Sequence, residues 1–138
     1  LTNVEKPRLL FWQIANTNSG DGQSKVLIST DDGTTYTVLP NSTYRGAGDY
    51  SNEYFSSASY GDWGTTPTTN AMWKSEEFDL SDYKTDTVRL MFVLDQQGST
   101  MQNPVDGWYL DGVAVAKTPT VVWYDSLFKE AATNDGTI

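Results

Sequence analysis

The stretch VLISTDDGTTYTVL, residues 26–39, decides the fold. Two alternating β-type runs, 26–29 and 36–39, flank a turn that carries Asp31, Asp32 and Gly33. Asp and Gly accept the positive-φ backbone that tight turns demand, so the stretch predicts a β-hairpin. Within it Ser29, Asp31, Gly33 and Tyr36 follow the spacing S-x-D-x-G-x-x-aromatic.

Working outward, the same β-type signals recur on both sides. Residues 8–14, RLLFWQI, read as a strand buried on at least one face, with Leu10, Trp12 and Ile14 on one side and Leu9 and Phe11 on the other. Residues 87–94 are the clearest strand, Val88, Leu90, Phe92 and Leu94 alternating with Arg89, Met91 and Val93. Residues 71–78 and 107–115 are further strand-like runs, and 79–83 read as a connection with one helical turn. Residues 16–23 and 95–106 are polar loops. Residues 120–124 are again β-like, and 126–132 form the one helical segment the pattern offers. Many short strands without a long helix predict an all-β, antiparallel β-sandwich. Trp12, Val26, Ile28, Trp73, Val88, Leu90, Phe92 and Trp108 are the expected core.

The 138 residues suffice for one domain with a real core. A net charge of −9 with nine basic residues argues against nucleic acid and against anionic membrane surfaces, which want clustered Lys and Arg. The absence of Cys and His excludes disulfides, Cys or His nucleophiles and ordinary zinc sites. No apolar run has the length of a membrane span, so no membrane insertion is expected. Leu1 is not a natural start, so the chain is expected to be a mature or excised fragment.

The turn spacing resembles the Asp box, in which the Asp bonds turn N–H groups and the aromatic packs beneath the hairpin. That resemblance makes Ser29, Asp31, Gly33 and Tyr36 structural turn residues. Taken with LLFW at 9–12, WKS at 73–75, FDLSDY at 78–83, the strand at 88–92 and GWYLD at 107–111, the chain resembles MAM-like jelly rolls of bacterial secreted proteins. These are the cleaved-adhesin or choice-of-anchor-J modules, related to immune-inhibitor-A-type protease accessory domains and reelin repeats. The resemblance implies a jelly-roll sandwich of the galactose-binding or MAM-like kind over residues 1–118. Residues 119–138 either complete that sandwich or lead into a following unit.

Asp111 stands mid-strand between Leu110 and Val113, where a bare carboxylate is costly to bury. Structural Ca²⁺ would compensate it, with Asp21 as a second oxygen donor; a hydrogen-bonded Asp is the alternative. Glu76 and Glu77 are neighbours in a strand and point to opposite faces, so they form no acid–base pair and are expected in solvent. Residues 40–70 hold Tyr44, Tyr50, Tyr54, Tyr60 and Trp63 in a Ser/Gly/Thr/Asn-rich segment, with a short strand expected at 53–58. Exposed, these aromatics would bind carbohydrate or a protein surface; turned inward, they would pin the segment onto the sandwich. One Asp box without repeats makes no sialidase propeller, and no Arg cluster for a sialate carboxylate is visible along the chain. The expected function, following the resemblance, is a non-catalytic accessory or adhesion module of a larger multidomain protein, secreted or on the cell surface, that binds carbohydrate or a protein surface, with a purely structural spacer as the alternative.

Overall fold

The computed structural model describes residues 6–16, 22–63, 68–84, 86–96 and 107–117. It is all-β. The strands are β1 (Pro7–Asn16), β2 (Gly22–Ser29), β3 (Thr37–Val38), β4 (Lys74–Asp79), β5 (Arg89–Gln96) and β6 (Gly107–Lys117). They form two antiparallel three-stranded sheets, ordered β4-β1-β6 and β3-β2-β5.

Alternation explains which faces meet. In β2 and β5, Val26 lies opposite Phe92 and Ile28 opposite Leu90, which puts four apolar side chains on one side. In β1 and β4, Leu9 lies opposite Phe78 and Phe11 opposite Glu76. The two faces share one core, where Phe11 of the first sheet meets Phe92 of the second edge-to-face at 5.3 Å. A 3₁₀ turn, Ser81–Tyr83, supplies the helical turn expected at 79–83.

Strand β1 turns the other way from the sequence expectation at one residue. Its core face is Leu9, Phe11 and Gln13, so Trp12, expected inside, is 50% exposed. Val26 and Ile28 are buried as expected, while Trp73, Val88, Leu90, Phe92 and Trp108 are half-buried against the core. Between β1 and β6 the register slips: Leu10 faces Ala114, yet Trp12 faces Asp111. Two steps on β1 match three on β6, a β-bulge that places Gly112 at φ +59°, a conformation glycine adopts without steric cost.

The segment after β3 is well packed. Tyr50, Phe55 and Trp63 are buried, and Tyr50 donates to the Leu39 carbonyl at 3.0 Å while Trp63 Nε1 donates to the Met72 carbonyl at 2.8 Å. The strand expected at 53–58 is a single bridge, Ser24 to Phe55, closed by two 2.8 Å backbone hydrogen bonds. The β-like run at 120–124, the helical run at 126–132, the unit boundary at 119 and Asp21 lie outside the described residues.

Candidate functional site

The aromatic segment holds the first candidate residues, and of the two alternatives, exposed contacts or inward anchors, Tyr50 and Trp63 take the second. Tyr50 is 1% exposed and Trp63 4%, while Tyr44, Tyr54 and Tyr60 are half-buried. Tyr44, Tyr50, Phe55 and Phe78 form a ring cluster with centroid separations of 4.7–6.3 Å. Burying apolar rings outweighs leaving them in water, and each ring here has a neighbour to pack on. The segment is pinned to the sheets by the groups that were candidates for a ligand.

Beneath it sits a buried carboxylate. Glu76 is 2% exposed, against the expectation of a solvent-facing residue. Alternation does separate it from Glu77, but it is the inward partner, opposite Phe11. Oε1 accepts from Gln13 Nε2 at 2.6 Å and from the Tyr60 hydroxyl at 2.7 Å, and Oε2 accepts from the Tyr44 hydroxyl at 2.5 Å. Gln13 Oε1 in turn accepts from Trp108 Nε1 at 2.7 Å, which ties β6 into the network. Burial pushes the Glu76 carboxyl above the usual glutamate range, and the bonds from Tyr44, Gln13 and Tyr60 oppose that push. Burial also drives the Tyr44 and Tyr60 phenols upward, so both stay protonated donors. A raised carboxyl is a common mark of a general acid. Here its oxygens are occupied by three donors and screened from solvent, so its chemistry is that of a structural clamp.

The hairpin turn is held by its own side chains. Asp31 Oδ1 accepts from Thr35 N–H at 2.8 Å and Oδ2 from the Thr35 hydroxyl at 2.6 Å. The Ser29 hydroxyl donates to Asp31 at 2.7 Å and accepts from Gly33 N–H at 2.9 Å. Asp32 and Gly33 carry φ values of +61° and +88°, and the half-buried Tyr36 lays its hydroxyl beside Gly33. Asp32 is paired with Arg89, Oδ1 to Nε at 2.9 Å.

Asp111 is exposed, so no buried charge asks for compensation; Oδ1 accepts from Gly112 N–H at 2.7 Å. Among the described residues no group of three or more acids could hold a metal ion. Ca²⁺ also takes backbone-carbonyl and water oxygens, and Asp21, the second expected donor, lies outside the described residues.

What the fold does leave open is the outer face of the β4-β1-β6 sheet. Ser75, Trp12 and Asp111 form one cross-strand row, all exposed, and Tyr109 lies diagonal to Trp12 at 52% exposure. Diagonal neighbours stand about 7–8 Å apart. Ile14, opposite Tyr109, is buried. Further along the same face, Arg8 is opposite Asp79 and Leu10 opposite Glu77. There an open cleft of about 490 Å³ is lined by Lys6, Arg8, Arg45, Glu77, Asp79 and Ser81. Arg8 Nη1 bonds Glu77 at 2.8 Å, and Arg45 Nη2 stands 3.6 Å from Asp79. Arg8 Nε is buried with no hydrogen-bond partner.

Two of these features escaped the sequence for one reason. A 10-residue apolar strand does not say which face is the core until its partners are known, and neither Trp12 nor Glu76 carries a local sign. Arg8 and Arg45 are 37 positions apart and meet only because Arg45 N–H bonds the Glu77 carbonyl at 2.8 Å beside β1.

Comparison with family models, with curated protein sequences and with solved structures finds no match for this chain.

Proposed function

We propose that this chain is a non-catalytic accessory or adhesion module of a secreted or cell-surface protein, a MAM-like jelly-roll sandwich that binds carbohydrate. The observation that carries it is the pair of half-exposed rings, Trp12 and Tyr109, on the outer face of the β4-β1-β6 sheet. Leaving two large aromatic faces in water is unfavourable unless something covers them. A pyranose offers a flat C–H face for the indole, while its hydroxyls need donors and acceptors at the rim. Ser75 and Asp111 flank Trp12 in the same row and supply both. Sheet strands hold these groups more rigidly than a loop would, so little ordering cost opposes binding.

The alternative is a structural spacer of a larger secreted protease or adhesin, favoured by the inward packing of Tyr44, Tyr50 and Trp63. A glycan array followed by tryptophan-fluorescence titration separates the two. Binding that is lost in Trp12→Ala and weakened in Tyr109→Ala, with an unchanged circular dichroism spectrum, supports the carbohydrate module. An array without hits, or hits that Trp12→Ala leaves intact, supports the spacer.

A further inference from the structure

We infer that the glycan taken by this face carries a free amine: an amino-sugar oligomer whose ring stacks on Trp12 and whose ammonium pairs with Asp111. The inference rests on the carbohydrate reading and adds the charge of the ligand. Trp12 and Asp111 are directly opposite on β1 and β6, so their Cβ atoms stand about 4.5–5.5 Å apart. The bulge brings both against one residue. A Cβ on Gly112 would lie 3.6 Å from Trp12 Cδ1, and the Gly112 N–H donates to Asp111 Oδ1 at 2.7 Å. A pyranose lying on the indole reaches the carboxylate with its substituent at C2.

The carboxylate is not spent within the protein. Oδ1 accepts from Gly112, and among the described residues no cation pairs with Asp111. The other charges on the three strands of this sheet are matched, buried or distant. Arg8 bonds Glu77 at 2.8 Å, Lys74 bonds Asp62 at 2.6 Å, and Asp79 stands 3.6 Å from Arg45. Glu76 is enclosed by its three donors. Lys117 lies six residues along β6 from Asp111, about 20 Å away and past the range of screened charge. An ammonium at the edge of the Trp12 indole therefore meets an ion-pair partner that no described group claims, and the ring adds cation–π attraction. The indole N–H, the Ser75 hydroxyl and the Tyr109 hydroxyl make no bond to another described residue, so they are available to the sugar hydroxyls. The net charge of −9 favours approach of a cationic ligand over an anionic one.

The test uses three β-1,4-linked tetrasaccharides that differ only at C2: glucosamine with a free amine, N-acetylglucosamine with a neutral amide, and glucose with a hydroxyl. Each is titrated calorimetrically against the whole chain at low and high salt, at about pH 5.5, where a sugar amine is charged and an exposed Asp ionised. The expected result is that the amine binds about tenfold more tightly than either neutral form, and that salt erodes the preference. Asp111→Asn removes the preference, whereas Trp12→Ala weakens all three. Asp82→Asn, at an exposed acid in the 3₁₀ turn beyond the far end of β4, keeps it. A preference that Asp82→Asn lowers as much as Asp111→Asn does overturns the local pairing, since net charge alone then accounts for it. Equal affinity for the three, or binding only of other sugars on the array, overturns the amino sugar while the carbohydrate module stands. No binding by any sugar overturns both. Tetralysine that binds where no sugar does would assign the platform to a basic protein partner, and a dimer that Trp12→Ala dissolves would assign it to a second copy of the chain; either overturns the inference.

Discussion

Gln13 Nε2 donates to Glu76 Oε1 at 2.6 Å between neighbouring strands β1 and β4, on the core side of the sheet. Around that bond the Tyr44 and Tyr60 hydroxyls close in from the long segment, and Trp108 Nε1 reaches Gln13 from β6. Four parts of the chain are joined through two polar side chains in an otherwise apolar interior. A Cβ on Gly46 would collide with the Glu76 carboxylate and the Tyr44 phenol, so glycine there is part of the same closure.

Truncating the hub should therefore cost more than neutralising it. Glu76→Ala removes the acceptor of Gln13, Tyr44 and Tyr60; the two hydroxyls, 3.4 Å apart, can satisfy one donor between them, and at about 1–3 kcal/mol for each of the other two the variant is expected to lose at least about 2 kcal/mol by urea titration. Glu76→Gln keeps the shape and one acceptor oxygen and should lose less. The folded-state carboxyl is raised above its unfolded value by burial. Its contribution is thus fully present below the ordinary glutamate value and is lost as pH rises through the raised one. The stability difference between wild type and Glu76→Gln should shrink as pH rises. A difference that grows with pH would show the carboxylate is preferred ionised in the fold.

Phe78 is the ring on which the segment closes. It is fully buried and packs against Phe11, Tyr44, Tyr50 and Phe55. Phe78→Ala should cost roughly 3–5 kcal/mol, and Phe92→Ala, at a half-buried site, less. Equal losses at both positions would mean that the core is centred closer to β5 than the burial pattern says.

How much of this was legible beforehand follows from what each signal depends on. The hairpin at 26–39 and the strand through Leu90 and Phe92 were legible because turn chemistry and period-two alternation are local. The inner side of β1 was not, since both of its faces are apolar and only pairing with Glu76 and Phe78 selects Phe11 over Trp12. Tyr44 and Tyr60 read equally as ligand contacts or as anchors. Their partner was a glutamate that composition alone assigns to solvent. The cleft between Arg8 and Arg45 was invisible because sequence distance hides it.

The turn at 31–33 should carry stability and not binding. Asp31 is exposed, and bonds from the Thr35 side chain and backbone and from Ser29 hold its carboxyl down at about 2. Because the folded value is depressed, its contribution is present above the ordinary 3.8 and is lost as pH falls toward 2. Asp31→Ala should lower the melting temperature at neutral pH and leave glycan affinity unchanged. Lost affinity with an unchanged melting temperature would move Asp31 from the turn to a binding surface.

Asp111 offers the sharpest contrast between sequence and fold. As a buried mid-strand acid it would need an ion; as an exposed one it needs only water and the Gly112 N–H it already accepts from. The bulge makes the difference, because Gly112 at positive φ lets the strand kink and keeps Asp111 beside Trp12 on the outer face. Asp111→Asn should accordingly change stability by no more than about 0.5 kcal/mol, as for other surface substitutions. Its melting temperature should move with added Ca²⁺ or EDTA only as far as that of wild type does. An ion held by Asp111 at a hundredfold excess over its dissociation constant would stabilise wild type by about 2.7 kcal/mol. A Ca²⁺-dependent rise in wild type that Asp111→Asn abolishes would assign a metal site to Asp111. Reduced glycan affinity in Asp111→Asn at constant stability would instead assign the carboxylate to the rim of the Trp12 platform.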